Sequence, residues 1–176
     1  MMSRIAGRSC ALGLAAGVLA CFAASAQTAQ PGSWIADPDN SCRVWNPHPQ
    51  VGEAIKWSGS CVNGLAQGRG SLRWFKDNRP YEQDDGEWQD GRQAGPGTQV
   101  WEGGRYEGDL REGEPDGHGI WTLPNGRYEG AFRNGKPNGK GVFSNVNGIF
   151  DGIWKDGCFR DGARRAYVGV PSSSCP

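Results

Sequence analysis

One spacing of glycines constrains this chain more than any other feature. Gly59, Gly86, Gly108, Gly130 and Gly152 each open a unit. In the first four units further glycines return at offsets of five, nine and eleven: Gly64, Gly68 and Gly70; Gly91, Gly95 and Gly97; Gly113, Gly117 and Gly119; Gly135, Gly139 and Gly141. The openings lie 22 residues apart from Gly86 onward and 27 apart between the first two, where Lys76 to Pro80 read as an insertion. A fixed period of this size marks a repeat protein, in which no single unit can bury its apolar face and neighbours must stack.

Each unit reads as one β-hairpin. Tyr106, Gly108 and Leu110 alternate with Arg105, Glu107, Asp109 and Arg111, and a period of two puts the apolar set on one sheet face and the charged set on the other. Asn63-Gly64, Asp90-Gly91, Glu112-Gly113, Asn134-Gly135 and Asp156-Gly157 follow at the same offset; most are dipeptides that tolerate the positive φ of tight hairpin turns. A second strand then runs through Leu72 and Trp74, Val100 and Trp101, Ile120 to Leu123, or Val142 and Phe143. Gly103-Gly104, Asn125-Gly126 and Asn147-Gly148 turn the chain into the next unit.

The units W-S-G-S-C-V-N-G-L-A-Q-G-R-G (57–70), Y-E-G-D-L-R-E-G-E-P-D-G-H-G (106–119) and Y-E-G-A-F-R-N-G-K-P-N-G-K-G (128–141) resemble MORN repeats, the membrane occupation and recognition nexus motif, in a bacterial exported form. The resemblance spans residues 57–160. It departs from the pattern at Trp57 and Cys61 in the first unit, at Asp84 where the second unit should have tyrosine, and after Gly157 in the fifth. It implies an all-β fold, an elongated twisted antiparallel sheet of about five hairpins, used for binding or scaffolding rather than catalysis.

Residues 1–26 stand outside that pattern. Arg4 and Arg8 precede an apolar run from Cys10 to Ala24, and Ala24-Ser25-Ala26 supplies the small residues of a signal-peptidase site. The run is short for a membrane span. An alternative route is acylation of Cys21 in Val18-Leu19-Ala20-Cys21, a lipoprotein-like box with an unusual leucine. Cleavage after Ala26 removes two basic and no acidic residues, leaving 19 − 2 = 17 Lys and Arg against 19 Asp and Glu. That balance excludes a nucleic-acid partner, which needs a basic footprint. Cys42, Cys61, Cys158 and Cys175 remain, an even set that in an exported chain favours disulfides. Four cysteines allow three connectivities; their placement favours Cys42–Cys61 and Cys158–Cys175, one staple at each end. Residues 42–45 and 57–61 are expected to pair as antiparallel strands with Cys42 opposite Cys61, within disulfide reach. Residues 27–56 and 161–176 are accordingly read as caps on a repeat array at 57–160.

Little in the chain points to chemistry. Gly130 to Lys136 imitates a phosphate loop, but Pro137 replaces the metal-binding hydroxyl and both glycines belong to the repeat. His48 sits between prolines, and His118 occupies a position held elsewhere by Arg69, Pro96 and Lys140. Carboxylates such as Glu107 and Asp109 lie beside arginines on the charged face. No catalytic, metal or cofactor site is assigned, and the chain is read as a non-enzyme.

Two surfaces remain as candidates. The charged face offers Glu107, Asp109, Arg111, Glu129, Arg133, Asp151 and Lys155, with Asp85, Glu107, Glu129 and Asp151 in one row and Gln89, Arg111, Arg133 and Lys155 in another. The opposite face forms an aromatic trough of Trp88, Tyr106, Trp121, Tyr128, Phe132, Phe143, Phe150 and Trp154, either buried as core or open to sugar rings and apolar side chains. The expected function is an exported, periplasmic or secreted module binding a protein through the charged face. The alternatives are a cell-wall glycan bound in the trough and a small periplasmic inhibitor or immunity role. Membrane contact is expected only through a lipidated Cys21, because an acidic row repels anionic lipid. Intact-mass measurement of the exported protein should find Gln27 at the amino terminus without lipid; a diacylated Cys21 species would overturn this.

Overall fold

The structure is a computed structural model that describes residues 32–175. The leader and lipidation expectations, at residues 1–26 and Cys21, lie outside those residues. Thirteen strands form one sheet: β1 (Ser33–Ala36), β2 (Arg43–Asn46), β3 (Glu53–Val62), β4 (Leu65–Lys76), β5 (Arg79–Gln89), β6 (Arg92–Trp101), β7 (Gly104–Arg111), β8 (Glu114–Leu123), β9 (Gly126–Arg133), β10 (Lys136–Asn145), β11 (Gly148–Lys155), β12 (Cys158–Asp161) and β13 (Arg164–Tyr167). From β3 onward each strand pairs antiparallel with the next. The result is the open twisted sheet of five hairpins that the repeat pattern implies, with β3 starting at Glu53 rather than at residue 57. The insertion at Lys76 to Pro80 lengthens β4 and β5 and turns through Asp77 and Asn78, both at positive φ.

Each glycine of the repeat has its own geometric task. The offset-five glycine closes a tight turn: Asn134 at φ 48 and Gly135 at φ 71 form the two central residues of a type I′-like hairpin, the hand that matches strand twist. The offset-nine glycine sits at the register shift between Pro137 and Gly141, where Gly139 takes φ 115, and bulges favour such conformations. The remaining two glycines of each unit stand opposite one another. Because every strand keeps register with the next, Gly59, Gly70, Gly86, Gly97, Gly108, Gly119, Gly130, Gly141 and Gly152 make one unbroken row across nine strands.

Aromatic rings lie down on that row. A Cβ on Gly119 would sit 2.6 Å from Cε2 of Tyr106, and one on Gly130 would sit 2.9 Å from Oη of Tyr128. The reclining ring anchors its polar tip three residues on. Tyr106 Oη donates to the Asp109 carbonyl at 2.7 Å, Tyr128 Oη to Ala131 at 3.0 Å, and Trp57 Nε1 to Ser60 at 3.1 Å. Successive hairpins are stitched by turn amides: Gly91, Gly113, Gly135 and Gly157 donate to the carbonyls of Ala66, Gln93, Pro115 and Pro137.

Both ends are closed by chain that folds across the turns. The expected pairing of residues 42–45 with 57–61 does not form. β3 spends its hydrogen bonds on β4, and β2 instead runs over the turn edge, its Arg43 and Trp45 amides donating to the Gly64 and Gly91 carbonyls at 3.0 and 2.8 Å. Tight turns leave those carbonyls pointing outward, so they are free acceptors where the β3 ladder is not. The disulfides are nevertheless Cys42–Cys61 and Cys158–Cys175, with Cα separations of 5.8 and 5.5 Å. At the far end the Val168 amide donates to the Gly157 carbonyl at 2.9 Å.

The row gives a direct test. Gly95 lies at φ 70 with open space around it, whereas Gly119 lies under a ring. Gly95→Ala should cost about 1 kcal/mol, the backbone penalty alone, and Gly119→Ala about 3 kcal/mol because the Tyr106 ring must lift. Urea unfolding of the two variants measures the difference, and equal costs would contradict the close packing.

Candidate functional site

The two faces of the sheet have different fates. On the face opposite the rings, cross-strand register places Ser71, Asp85, Thr98, Glu107, Ile120, Glu129, Val142 and Asp151 in one line beside the glycine row. Acidic groups therefore recur on every second strand, about 9.5 Å apart, with small or aliphatic residues between. A shallow depression of about 780 Å³ runs along the part of this line from Ser71 to Ile120, floored by the backbone of the glycine row, with Asp109 and His118 on its other bank.

The seven expected partner-face residues are all exposed, but they do not act as one set. Glu107 pairs with Arg105 at 3.0 Å and Glu129 with Arg127 at 2.7 Å, so the cations beside the acidic row come from two positions earlier on the same strand. Arg111 instead bonds Asp116 at 2.6 Å and holds its carboxyl below the usual carboxylate range. Asp109 is occupied structurally, accepting the His118 amide at 3.0 Å. Arg133 and Lys155 sit toward the turns, away from the acids. Asp151 has no ion-pair partner among the described residues and lies between Ile149 and Ile153, which are 62% and 70% exposed.

The aromatic trough is closed. Trp88, Tyr106, Tyr128, Phe132, Phe143, Phe150 and Trp154 are buried and Trp121 is half-buried. Edge-to-face contacts chain them together: Tyr106 to Phe132 at 5.2 Å, Phe132 to Tyr128 at 5.1 Å, and Tyr128 to Trp154 at 5.2 Å. Gly169, from the C-terminal segment, covers Trp121 so closely that a Cβ there would lie 2.6 Å from the indole. Burial pushes the Tyr128 phenol up to about 12. These rings hold the sheet together and present no open face for stacking.

A second hollow, of about 740 Å³, lies under the N-terminal cap between Trp45, Trp74, Tyr81, Trp88 and the turns of the third and fourth hairpins. Its floor is polar. Asp84 is 4% exposed; its Oδ2 accepts from Trp74 Nε1 at 2.7 Å, its Oδ1 receives no amide, indole or hydroxyl donor, and its carboxyl is hydrogen-bonded to that of Glu82. Trp88 Nε1 is buried and unpartnered. Gln99 Nε2 reaches Gln93 Oε1 at 3.1 Å and the Gly113 carbonyl at 3.0 Å. Glu53 ties the wall together, accepting from Asn46, the Gln50 amide and Tyr81 Oη.

A family model described as MORN repeat matches residues 57–79, 85–104, 106–126 and 128–149. The chain carries an array of MORN repeats. A search of the curated proteins finds no match. Asp84 falls between the first and second matched MORN segments, and the fifth hairpin lies beyond the last.

Within the MORN array the polar floor is local to the second repeat. Asp84 stands where the other units have Trp57, Tyr106, Tyr128 and Phe150. Gln93 stands where they have Ala66, Pro115, Pro137 and Phe159, and Gln99 where they have Leu72, Trp121 and Phe143. Sequence reasoning flagged Asp84 only as a departure from the motif and missed Glu82, Gln93 and Gln99. The signal was three apolar-to-polar changes at aligned inward positions of a single repeat. Among the described residues no cluster of His, Cys, Asp or Glu is arranged to hold a metal.

Burial, then the neighbouring Glu82 charge, pushes the Asp84 carboxyl well up; burial does the same to Glu82. A folded carboxyl that keeps its proton to higher pH stabilises fully below the unfolded value near 4, and that contribution is lost as pH rises through the raised folded value. Asp84→Asn should therefore gain on the native protein in melting temperature between about pH 4 and pH 8. A pH-independent difference would contradict the burial of the charge.

Proposed function

We propose that this chain is an exported, non-enzymatic MORN-repeat module that binds a protein through the face opposite its rings. The observation that carries this reading is the asymmetry of the sheet: the aromatic face is closed by its own rings and both caps, whereas the other face is open and patterned. MORN repeats are generally modules for binding proteins or lipids. The line of Asp85, Glu107, Glu129 and Asp151 disfavours an anionic lipid surface. Its alternation with Thr98, Ile120 and Val142, and the exposed Ile149 and Ile153 beside Asp151, give the mixed charged and apolar character of a protein interface.

Export is supported by the two disulfides, which persist in oxidising compartments, together with the leader-like residues 1–26. The closed trough takes away the surface that glycan stacking on those rings would need.

The test starts from affinity capture with the mature protein and proceeds to titration of the captured partner. Because Glu107 and Glu129 are surface charges, binding should weaken as salt rises and the Debye length falls from about 10 Å at 0.1 M to about 3 Å at 1 M. Glu107→Lys and Glu129→Lys should each lower affinity about tenfold, roughly 1.4 kcal/mol. Salt-independent binding that ignores both reversals would place the contact elsewhere.

A further inference from the structure

We propose that the hollow under the N-terminal cap is a saccharide-binding site built from the second repeat, separate from the charged face. The repeat architecture needs an aromatic ring at position 84 and apolar groups at 93 and 99, as its sister units show. Burying Asp84 and Gln93, with Gln99 half-buried beside them, costs stability unless the polar atoms are used. Gln93 and Gln99 bond each other, Gln93 Nε2 also reaches the Asp85 carbonyl at 3.2 Å, and Gln99 reaches that of Gly113. Trp88 Nε1 bonds nothing and Asp84 Oδ1 receives no amide, indole or hydroxyl donor, its carboxyl being shared with that of Glu82; all three residues line the hollow.

The unused atoms select the ligand. Trp88 Nε1 lacks an acceptor, and the proton-holding Glu82–Asp84 carboxyl pair offers both a donor and an acceptor. A hydroxyl supplies both. An organic cation supplies only the donor, and an anion would meet Glu53, Glu82, Asp84 and Glu114 along the wall. Glu82 and Asp84 both hold their protons above the usual range, which lowers the charge of the floor and further disfavours a cation. The half-buried rings of Trp45 and Tyr81 give the apolar walls that sugar C–H faces require, with only the edges of Trp74 and Trp88 behind them. The volume, about 740 Å³, is within the usual range for small-molecule sites of roughly 300–1,000 Å³. The cap completes the chamber, with His48 Nε2 3.7 Å from Glu114 Oε1 across it.

The same chemistry is found in a free mono- or disaccharide and in the end of a polymeric glycan, so the experiment has two arms. The mature chain is titrated with a panel of neutral and N-acetylated mono- and disaccharides, read by tryptophan fluorescence and by indole N–H signals in NMR. In parallel it is co-sedimented with insoluble polysaccharide and with purified cell-wall sacculi. Binding in the first arm with a shift of the Trp88 indole signal is the expected result for a free sugar, and sedimentation alone for a polymer end. Asp84→Tyr restores the ring of the sister repeats and fills the chamber. It should keep or raise thermal stability while weakening saccharide binding at least tenfold. Gln99→Leu, which copies Leu72, should do the same if the tyrosine variant fails to fold. Three results overturn the proposal: no binding in either arm, unchanged binding by both variants, or preferential binding of tetramethylammonium or arginine at the same indole. None of these depends on the protein partner, so the two readings fail separately.

Discussion

The structure depends on an aromatic ring lying flat on a pair of glycines. Tyr106, Tyr128 and Trp57 recline across the glycine row of their own hairpins, and each is pinned by a hydrogen bond to the carbonyl three residues ahead. A Cβ anywhere beneath them would lift the ring and break that bond. A one-layer sheet has no second sheet to bury its inner face against, and the lowered rings substitute for one by packing edge to face along the array. The glycines at the turn and the bulge serve the same end, since they set the twist and register that keep the row continuous.

Closing one face leaves the other as the working surface. Side chains on either side of the glycine backbone bank that surface, and register makes the banks regular, with a carboxylate on every second strand. Much of the charge is already matched within the molecule, by Arg105 and Arg127 for the acidic row and by Arg111 for Asp116. Exposed pairs of this kind add little to stability; their effect is to set what can approach. Toward the C-terminal end the matching stops and aliphatic side chains surround Asp151.

The second repeat departs from this scheme where the rest obeys it. Losing the ring at position 84 removes the ring contact over Gly86 and Gly97, and Gln93 leans into the gap, within 2.7 Å of where a Cβ of Gly97 would be. The N-terminal cap then roofs the space, held by turn carbonyls and by the Cys42–Cys61 bridge. The same cap therefore protects the array's end and encloses a polar chamber.

The sequence by itself determined the hairpins, their turns and the assignment of residues to faces, and favoured the two cysteine pairs that form. All of these follow from local rules: a period of two along a strand, positive φ at Asn-Gly-type turns, and proximity along the chain. Tertiary structure decided whatever depended on strands and segments far apart in sequence. It placed β2 on the turn carbonyls rather than beside β3, because those acceptors were free and the ladder was full. It closed the trough, since whether a ring is buried depends on the curl of the sheet and on where residues 168–169 return, and neither is written in any one repeat. It gathered Asp84, Gln93, Gln99 and Trp45 around one hollow. Each polar residue was visible in the alignment of the units, but only the folded sheet shows that they face the same space and leave the Trp88 indole N–H unpaired beside it.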